Sequence, residues 1–177
     1  MENKLAGLNL NRTIGGASVW LETAYSQLQS DQANPSQQNT FRLITGADYN
    51  FSDKLYAFAE YHFNGAGETQ PEKYVKNISK PAYSESGVYL MGQHYFIPCI
   101  IYQFNPLLTT NLNTIINVND MSALLIPTCE FNFAQDVYIS AGAYFGLGKS
   151  NSQGEIFPKS EFGNYPDMYF INMRVYF

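Results

Sequence analysis

The chain has 177 residues, the length of one domain, and a formal net charge of −5. It has no cluster of Lys and Arg residues that could neutralise phosphates, so we expect no nucleic-acid partner. Charged residues make up 14% of the chain and aromatic residues 16%, whereas a soluble domain carries roughly 25% charged residues. The mean hydropathy is −0.23, and no apolar run approaches the ~18 residues of a membrane-spanning helix. This composition is typical of a barrel wall, in which lipid-facing apolar residues alternate with lumen-facing polar ones.

The first residues, Met1–Gly7, contain neither the basic nor the apolar segment of a secretion signal. Two interpretations follow: either a signal has been removed, or the chain begins inside a longer gene product. Residues 5–10 form a candidate first strand. A short turn is predicted near residues 11–13, followed by an alternating strand over residues 17–25.

The clearest strand signal lies in residues 41–63, where every second residue is apolar. This period of two is that of a β-strand, and helical spacing would not separate the two sets. A polar turn at residues 52–54 joins the two strands. Residues 131–141 repeat the pattern of residues 49–59, which predicts a second hairpin built on the same turn.

Three further strands are predicted between these hairpins. Residues 86–104 form a long strand in which Pro98 predicts a bulge or a register change. Residues 111–119 alternate Asn with apolar residues, giving one polar and one apolar face. Residues 123–133 return with apolar residues at every second position.

The predicted connections differ in length between the two ends of the strands. Short turns lie near residues 11–13, 52–54, 105–108 and 134–136. The other end has long connections at residues 27–38, 65–85 and 149–166, with one tight turn at Asn119-Asp120. Such segregation is typical of outer-membrane barrels, in which the short turns are periplasmic.

The last strand alternates apolar residues up to the final residue of the chain. These residues are Tyr169, Ile171, Met173, Val175 and Phe177. The pattern resembles the terminal signature of bacterial outer-membrane barrels, which the barrel-assembly machinery recognises.

The fold class that these patterns predict is all-β, a transmembrane antiparallel up-and-down β-barrel, with residues 1–177 forming a single barrel domain or the C-terminal portion of one. Eight strands could close into a barrel filled by side chains. Nine would leave an open edge and require further strands. The candidate first strand favours the second count, and therefore a larger barrel.

Several segments resemble an uncharacterised family of proteobacterial porin-like proteins. They are Glu60-Tyr-His-Phe-Asn followed by Gly65-Ala-Gly, Leu90-Met-Gly-Gln-His-Tyr, Ser122-Ala-Leu-Leu-Ile-Pro and Glu161-Phe-Gly-Asn-Tyr-Pro-Asp. The resemblance covers the whole chain and implies that it corresponds to the C-terminal portion of a longer protein. It implies no substrate and no catalytic residues.

Eight ionisable side chains are predicted to face the barrel lumen. They are Glu22, Arg42, Asp48, Glu60, His62, His94, Glu130 and Arg174. Four carboxylates against two guanidinium groups would make a water-filled lumen mildly cation-favouring. The alternative is ion pairing inside a packed or plugged barrel, where buried charges need partners.

Catalytic and metal chemistry find little support in the sequence. His62 and His94 could join Glu60 in a hydrolase site, but no serine stands in a recognisable nucleophile context. No Cys and His residues have metal-ligand spacing, so we expect no cofactor and no enzyme activity. We interpret Cys99 and Cys129 as small apolar wall residues, with a disulfide left open as the alternative.

The function expected from these patterns is that of a porin-like protein of the bacterial outer membrane, which lets small hydrophilic solutes diffuse passively. Its expected partners are membrane lipid, lipopolysaccharide, the barrel-assembly machinery and the solutes, and a homo-oligomer remains open. One alternative is a small, closed structural or adhesive barrel acting through its loops. Another is a lipid-modifying outer-membrane enzyme.

Overall fold

The computed structural model describes residues 2–29, 39–84, 89–151 and 158–177. Within these ranges nine strands form one antiparallel sheet, in which each strand pairs with the next along the chain. The strands are β1 (Glu2–Ile14), β2 (Ala17–Gln29), β3 (Asn39–Ser52), β4 (Leu55–Asn64), β5 (His94–Asn105), β6 (Leu108–Asn117), β7 (Ser122–Ala134), β8 (Val137–Leu147) and β9 (Met168–Val175).

The sheet is open in the described part of the chain. β1 pairs only with β2, and β9 pairs only with β8, so each has one free edge. The all-β, up-and-down prediction is confirmed, with nine strands rather than eight. The sheet is not closed into a barrel.

The two faces of the sheet differ in chemistry because the register keeps like residues together across eight ladders. The apolar face carries, for example, Leu21, Thr45 and Tyr61, which lie side by side on β2, β3 and β4. The polar face carries Trp20, Gly46 and Glu60 in the adjacent row. Since side chains alternate along each strand, one register defines both faces.

The turn between β1 and β2 lies at Gly15 and Gly16, with φ of +59° and +85°. The prediction of a turn near residues 11–13 is wrong, because β1 continues in register to Ile14. Glycine reaches positive φ without the steric cost that a β-carbon brings. A two-residue turn with positive φ at both positions also matches the twist of a β-hairpin.

The remaining short turns share a β-bulge on the strand that precedes them. Register shifts occur between Asn50 and Ser52, between Gln103 and Asn105, and between Asn132 and Ala134. All three bulges lie at the short-turn end of the sheet. Each adds one residue to its strand, which increases the local twist where the strand reverses.

The bulge or register change predicted at Pro98 is absent, although Ile97 and Pro98 have no paired residue on β6. The pairs Phe96–Ile116 and Cys99–Asn113 keep one register on either side of Pro98. Proline lacks the N–H that a ladder hydrogen bond needs, but β5 has no extra residue at this position and its register with β6 is unchanged.

The β4–β5 and β8–β9 connections fold over the polar face at the opposite end of the sheet. The connection between β4 and β5 spans residues 65–93 and contains a 3-10 turn (Pro71–Lys73) and two short helices, α1 (Tyr74–Ile78) and α2 (Pro81–Ser84). β5 therefore begins at His94 and not near residue 86, and residues 85–88 lie outside the described ranges. None of the helices described is long and apolar enough to cross a membrane.

A small hydrophobic core lies beneath these connections. Tyr95 of β5 and Leu124 of β7 are buried against Phe162, which follows β8, and Leu90 packs on the same cluster. The connections are thus held against the polar face of β5–β8 by apolar burial. They cover one end of that face.

The Gly15–Gly16 turn gives a test of the first hairpin. We expect Gly15→Val to lower the free energy of unfolding by about 1–2 kcal/mol, because an L-residue with a β-carbon is strained in the left-handed region. A β-carbon at Gly15 would meet no atom within 4 Å, so the loss would report backbone conformation alone. Urea unfolding followed by the fluorescence of Trp20, the one tryptophan of the chain, measures it.

The matched control is Gly15→Asn, because Asn tolerates positive φ better than other residues do. Its loss should be clearly smaller than that of Gly15→Val. Equal stabilities for the two variants would contradict a left-handed turn at this position.

Candidate functional site

Seven of the eight predicted lumen residues lie on the polar face. The register puts them there in β2, β3, β4, β7 and β9. They are Glu22, Arg42, Asp48, Glu60, His62, Glu130 and Arg174.

His94 lies on the apolar face, contrary to the expectation from sequence. It pairs with Phe63 across β4 and β5, and its Nδ1 lies 2.6 Å from the Tyr61 hydroxyl on the same face. The face could not be predicted because residues 89–93, just before His94, are not a strand, so alternation does not carry through them. His94 is thus separated from Glu60 and His62 by the sheet.

Glu60 is the centre of one polar cluster on β2 and β4. The indole Nε1 of Trp20 donates to Glu60 Oε1 at 3.0 Å, and His62 Nε2 lies 2.9 Å from Glu60 Oε2. Nearby on the same face, Asn9 Nδ2 donates to Glu22 Oε1 at 2.7 Å. Side-chain nitrogens of Trp20, His62 and Asn9 therefore contact the two carboxylates.

The remaining charges divide the polar face into two regions. In β7–β9 the guanidinium of Arg174 forms an ion pair with Glu130, which also accepts a hydrogen bond from Ser140. In β2–β4 Asp48 accepts hydrogen bonds from the Ser18 amide and the Tyr56 hydroxyl, both at 3.3 Å. Glu22, Asp48 and Glu60 outnumber Arg42 there, so this region is net negative.

Arg42 differs from Arg174 in having no partner among the described residues. Its half-buried guanidinium makes no hydrogen bond and no ion pair with any residue in the described ranges. It lines a cavity of about 260 Å³ on the polar face, together with Glu22, His62 and Leu90. The cavity lies where the connection between β4 and β5 meets β2, β3 and β4.

A second cluster, the loop clamp, is defined by Glu161, Tyr95, Asn117, Asp120 and Tyr74. Glu161 is buried at 7% exposure and accepts three hydrogen bonds. The donors are the Tyr95 hydroxyl at 2.5 Å, Asn117 Nδ2 at 2.7 Å and the Met91 amide at 2.8 Å. One carboxylate thereby joins the β8–β9 connection to β5, β6 and the end of the β4–β5 connection.

Asp120, in the turn between β6 and β7, continues the loop clamp. Its Oδ2 accepts the amide of Glu161 at 2.7 Å and the hydroxyl of Tyr74 at 3.1 Å. Its Oδ1 accepts the Ser122 hydroxyl at 2.6 Å. The β4–β5, β6–β7 and β8–β9 connections are therefore tied together through two carboxylates.

Burial raises the pKa of the Glu161 carboxyl above its ordinary value, and the negative charge of Asp120 raises it further. The hydrogen bonds from Tyr95, Met91 and Asn117 favour the charged form and lower the pKa in part. The net direction is upward. The clamp therefore holds its proton to a higher pH than an exposed carboxyl group would.

Sequence reasoning did not find the loop clamp. Alternation did place Asn117 on the polar face of a strand. Glu161 and Tyr74, however, come from connections with no period, and no local signal shows that they meet.

His62 and His94 lie on opposite faces of the sheet. Among the residues described, no group of three or more His, Cys, Asp or Glu residues could hold a metal ion. Cys99 and Cys129 are free thiols on opposite faces of the sheet. Cys99 faces the polar side, where its thiol donates to Asn111, and so is not the apolar wall residue expected.

Four of the five residues of the predicted assembly signal lie on the apolar face of β9. Tyr169, Ile171, Met173 and Val175 pair with apolar residues of β8. Phe177 lies two residues beyond the end of β9 and is exposed.

A scan against models of protein families finds no match to the chain, and searches of curated proteins and of solved structures find none either. Function must therefore be argued from the geometry of the sheet and its connections.

The raised pKa of Glu161 predicts how the loop clamp responds to pH. Below the ordinary carboxyl pKa of 4.5, Glu161 is protonated whether the β8–β9 connection is docked on the sheet or undocked. Ionisation of Glu161 therefore does not change the free energy of docking in this range. As pH rises through the raised pKa, the undocked form ionises first and docking weakens. Hydrogen exchange of the Met91 amide, corrected for its intrinsic rate, should show protection falling over this range.

Glu161→Gln should remove this pH dependence, because the amide does not titrate. Asp167→Asn, an exposed carboxylate in the same connection, is the control and should behave like the unchanged protein. A Glu161→Gln protein whose Met91 protection still falls with pH would show that another group controls docking.

Proposed function

We propose that the sheet is part of the wall of a transmembrane β-barrel in the bacterial outer membrane, and that the protein is porin-like, allowing passive diffusion of small hydrophilic solutes along its polar face. The observation that carries the proposal is the chemistry of the apolar face. That face runs across all nine strands and has aromatic residues at both ends.

The apolar face is almost free of charge. Among the described side chains of the nine strands, the only Asp, Glu, Lys, Arg or His residues on it are Lys4, Arg12 and His94. Each lies within two residues of a strand end. Many large apolar side chains on this face are exposed, Ile171 at 76% and Phe133 at 66%. A continuous apolar surface of this extent needs a lipid or protein cover.

Aromatic side chains form two bands on this face. At the short-turn end they are Tyr49, Phe51, Tyr102, Phe104, Phe131 and Phe133. At the other end they are Tyr25, Phe41, Phe63, Phe96, Phe145 and Tyr169.

The spacing of the bands fits a membrane. Phe41 and Tyr49 of β3 are eight residues apart, as are Phe96 and Phe104 of β5. Eight residues of extended strand span ~27 Å, and barrel strands cross an apolar layer of about 25 Å at a tilt. Aromatic girdles at both edges of that layer are typical of outer-membrane barrels.

The connections also support the proposal. Two-residue turns close one end of the sheet, while the connections of residues 65–93 and 148–167 gather at the other and fold over the polar face. In the proposed barrel the short turns are periplasmic and the long connections extracellular. Their docking on the polar face would narrow the solute path.

The two free edges place a requirement on the proposed barrel. Unpaired backbone groups facing hydrocarbon cost several kcal/mol each, so β1 and β9 must both gain partners in the membrane. Closure by additional strands agrees with the porin-like resemblance of the sequence. The lipid, lipopolysaccharide and barrel-assembly partners, and the role of Tyr169–Val175 as an assembly signal, are part of this proposal.

A lysine substituted in the middle of the apolar face shows whether that face contacts lipid or water. We expect Ile100→Lys to lower the free energy of unfolding in lipid vesicles by about 2–4 kcal/mol, the cost of a cation near the membrane midplane. Ile100 is 49% exposed, so in a protein surrounded by water the same change would be nearly neutral. Urea unfolding in vesicles measures the difference.

Ile101→Lys is the matched control, because Ile101 is the next residue of β5 and lies on the polar face. A water-filled path would let its ammonium group stay solvated, so its loss should be smaller than that of Ile100→Lys. A larger loss for Ile101→Lys would contradict the assignment of the two faces.

Conductance tests the proposed pore directly. The purified, folded full-length protein should conduct in a planar lipid bilayer, and a KCl gradient should give a reversal potential showing a mild preference for K⁺. The preference follows from the carboxylates Glu22, Asp48 and Glu60 on the polar face. Glu22→Gln with Glu60→Gln should shift the permeability ratio toward equality.

Glu72→Gln is the control, since Glu72 is an exposed carboxylate in the β4–β5 connection. It should leave the reversal potential unchanged. A folded full-length protein that shows no conductance would refute the porin-like function.

A further inference from the structure

We propose that the cavity beside Arg42 and Glu22 is a binding site for a small zwitterionic solute, whose anionic group lies on Arg42 and whose cationic group lies on Glu22. The inference rests on the proposed porin-like function, because it names the class of solute that the polar face selects. This site would select zwitterions at one point of the solute path along the polar face.

Arg42 supplies the anion-binding half of the site. The other guanidinium of the polar face, Arg174, is neutralised by Glu130, whereas Arg42 has no partner in the described ranges. A guanidinium offers five N–H donors in a planar fork that fits a carboxylate. An unpaired one that lines a half-closed cavity is therefore poised for an anionic group.

Glu22 supplies the cation-binding half. It lies opposite Ile44, and Arg42 is two residues from Ile44 on β3, so Glu22 and Arg42 are diagonal neighbours. Diagonal neighbours in antiparallel strands have Cα atoms about 7–8 Å apart. Both side chains line the cavity, yet they form no ion pair with each other. A ligand with one cationic and one anionic group could therefore lie between them, its cationic group on Glu22 and its anionic group on Arg42.

Electrostatics disfavours solutes with a single charge. An anion bound at Arg42 would be repelled by Glu22, and a cation bound at Glu22 would be repelled by Arg42. A zwitterion satisfies both groups at once, so the pair discriminates by attraction and by repulsion. His62, which also lines the cavity, contacts Glu60 through its Nε2.

The cavity also sets the size of the solute. Its volume of about 260 Å³ lies below the ~300–1,000 Å³ of pockets for drug-sized ligands. Ala24, Ile44 and Leu90 give it apolar walls, with Asn64 and Tyr95 as polar neighbours. Apolar walls strengthen the charge contacts by lowering the local dielectric constant. An amino acid of low mass fits these limits.

Trp20 provides a readout close to the site. It is the one tryptophan of the chain, and its indole donates to Glu60, which contacts His62 at the cavity. The folded full-length protein in detergent is titrated with glycine, β-alanine and 4-aminobutyrate, which differ in charge separation. Acetate and ethylammonium are the probes with a single charge.

We expect at least one zwitterion to change the Trp20 emission saturably, with an affinity about tenfold higher than acetate or ethylammonium. The double variant Glu22→Gln/Arg42→Gln should abolish this preference without changing the net charge. The matched control, Glu72→Gln/Lys73→Gln, neutralises one exposed carboxylate and one exposed ammonium group in the β4–β5 connection and should bind as before. The single variant Glu22→Gln, at an exposed position, serves if the double variant does not fold.

Equal affinities for zwitterions and singly charged probes, or zwitterion binding that survives loss of Glu22 and Arg42, would overturn the inference. Conductance without saturable zwitterion binding would overturn it and leave the porin-like function standing. Zwitterion binding without conductance would support the site and refute the pore.

Discussion

The register of the eight ladders is the constraint on which the two-sided sheet depends. Successive side chains point to opposite faces, so a slip of one residue would carry every charge of a strand to the apolar face. In β4 alone it would move Glu60 and His62 to the apolar face and carry Tyr61 and Phe63 to the polar face. The apolar face, the polar clusters and the cavity at Arg42 all exist because no such slip occurs between the strand ends.

The bulges meet this constraint by lying beyond the charged residues. Asp48 precedes the shift between Asn50 and Ser52, and Glu130 precedes the shift between Asn132 and Ala134. The extra residue is a phenylalanine in all three bulges. Phe51 stacks edge-on with Tyr49 at 5.1 Å, and Phe104 does so with Tyr102 at 4.8 Å. At the ends of β3 and β5 the bulge thus also places two rings together in the aromatic band at the short-turn end.

The strands and their faces could be predicted because the two faces differ in polarity, which makes a period of two visible in the sequence. The prediction failed where that contrast is missing. Residues 89–93 are irregular, so the face of His94 did not follow from the residues before it. The turn between β1 and β2 was predicted at residues 11–13 because these residues are polar, as turn residues are, whereas β1 continues through them to Ile14.

The loop clamp could not be predicted for a different reason. Glu161 and Tyr95 are 66 residues apart in sequence, and their contact depends on how two connections pack over the sheet. The cavity at Arg42 lies between these cases. Alternation placed Glu22 and Arg42 on one face. The register between strands decides that Arg174 has a partner, Glu130, while Arg42 has none within the described ranges.

The odd number of strands has a consequence for the free edges. In an up-and-down sheet neighbouring strands run in opposite directions, so β1 and β9 run in the same direction. Joining them directly would create one parallel seam in a sheet whose eight other ladders are antiparallel. A wholly antiparallel closure needs an odd number of intervening strands, whichever polypeptide supplies them. Rotating copies of this sheet about a common axis would instead place a parallel seam at each junction.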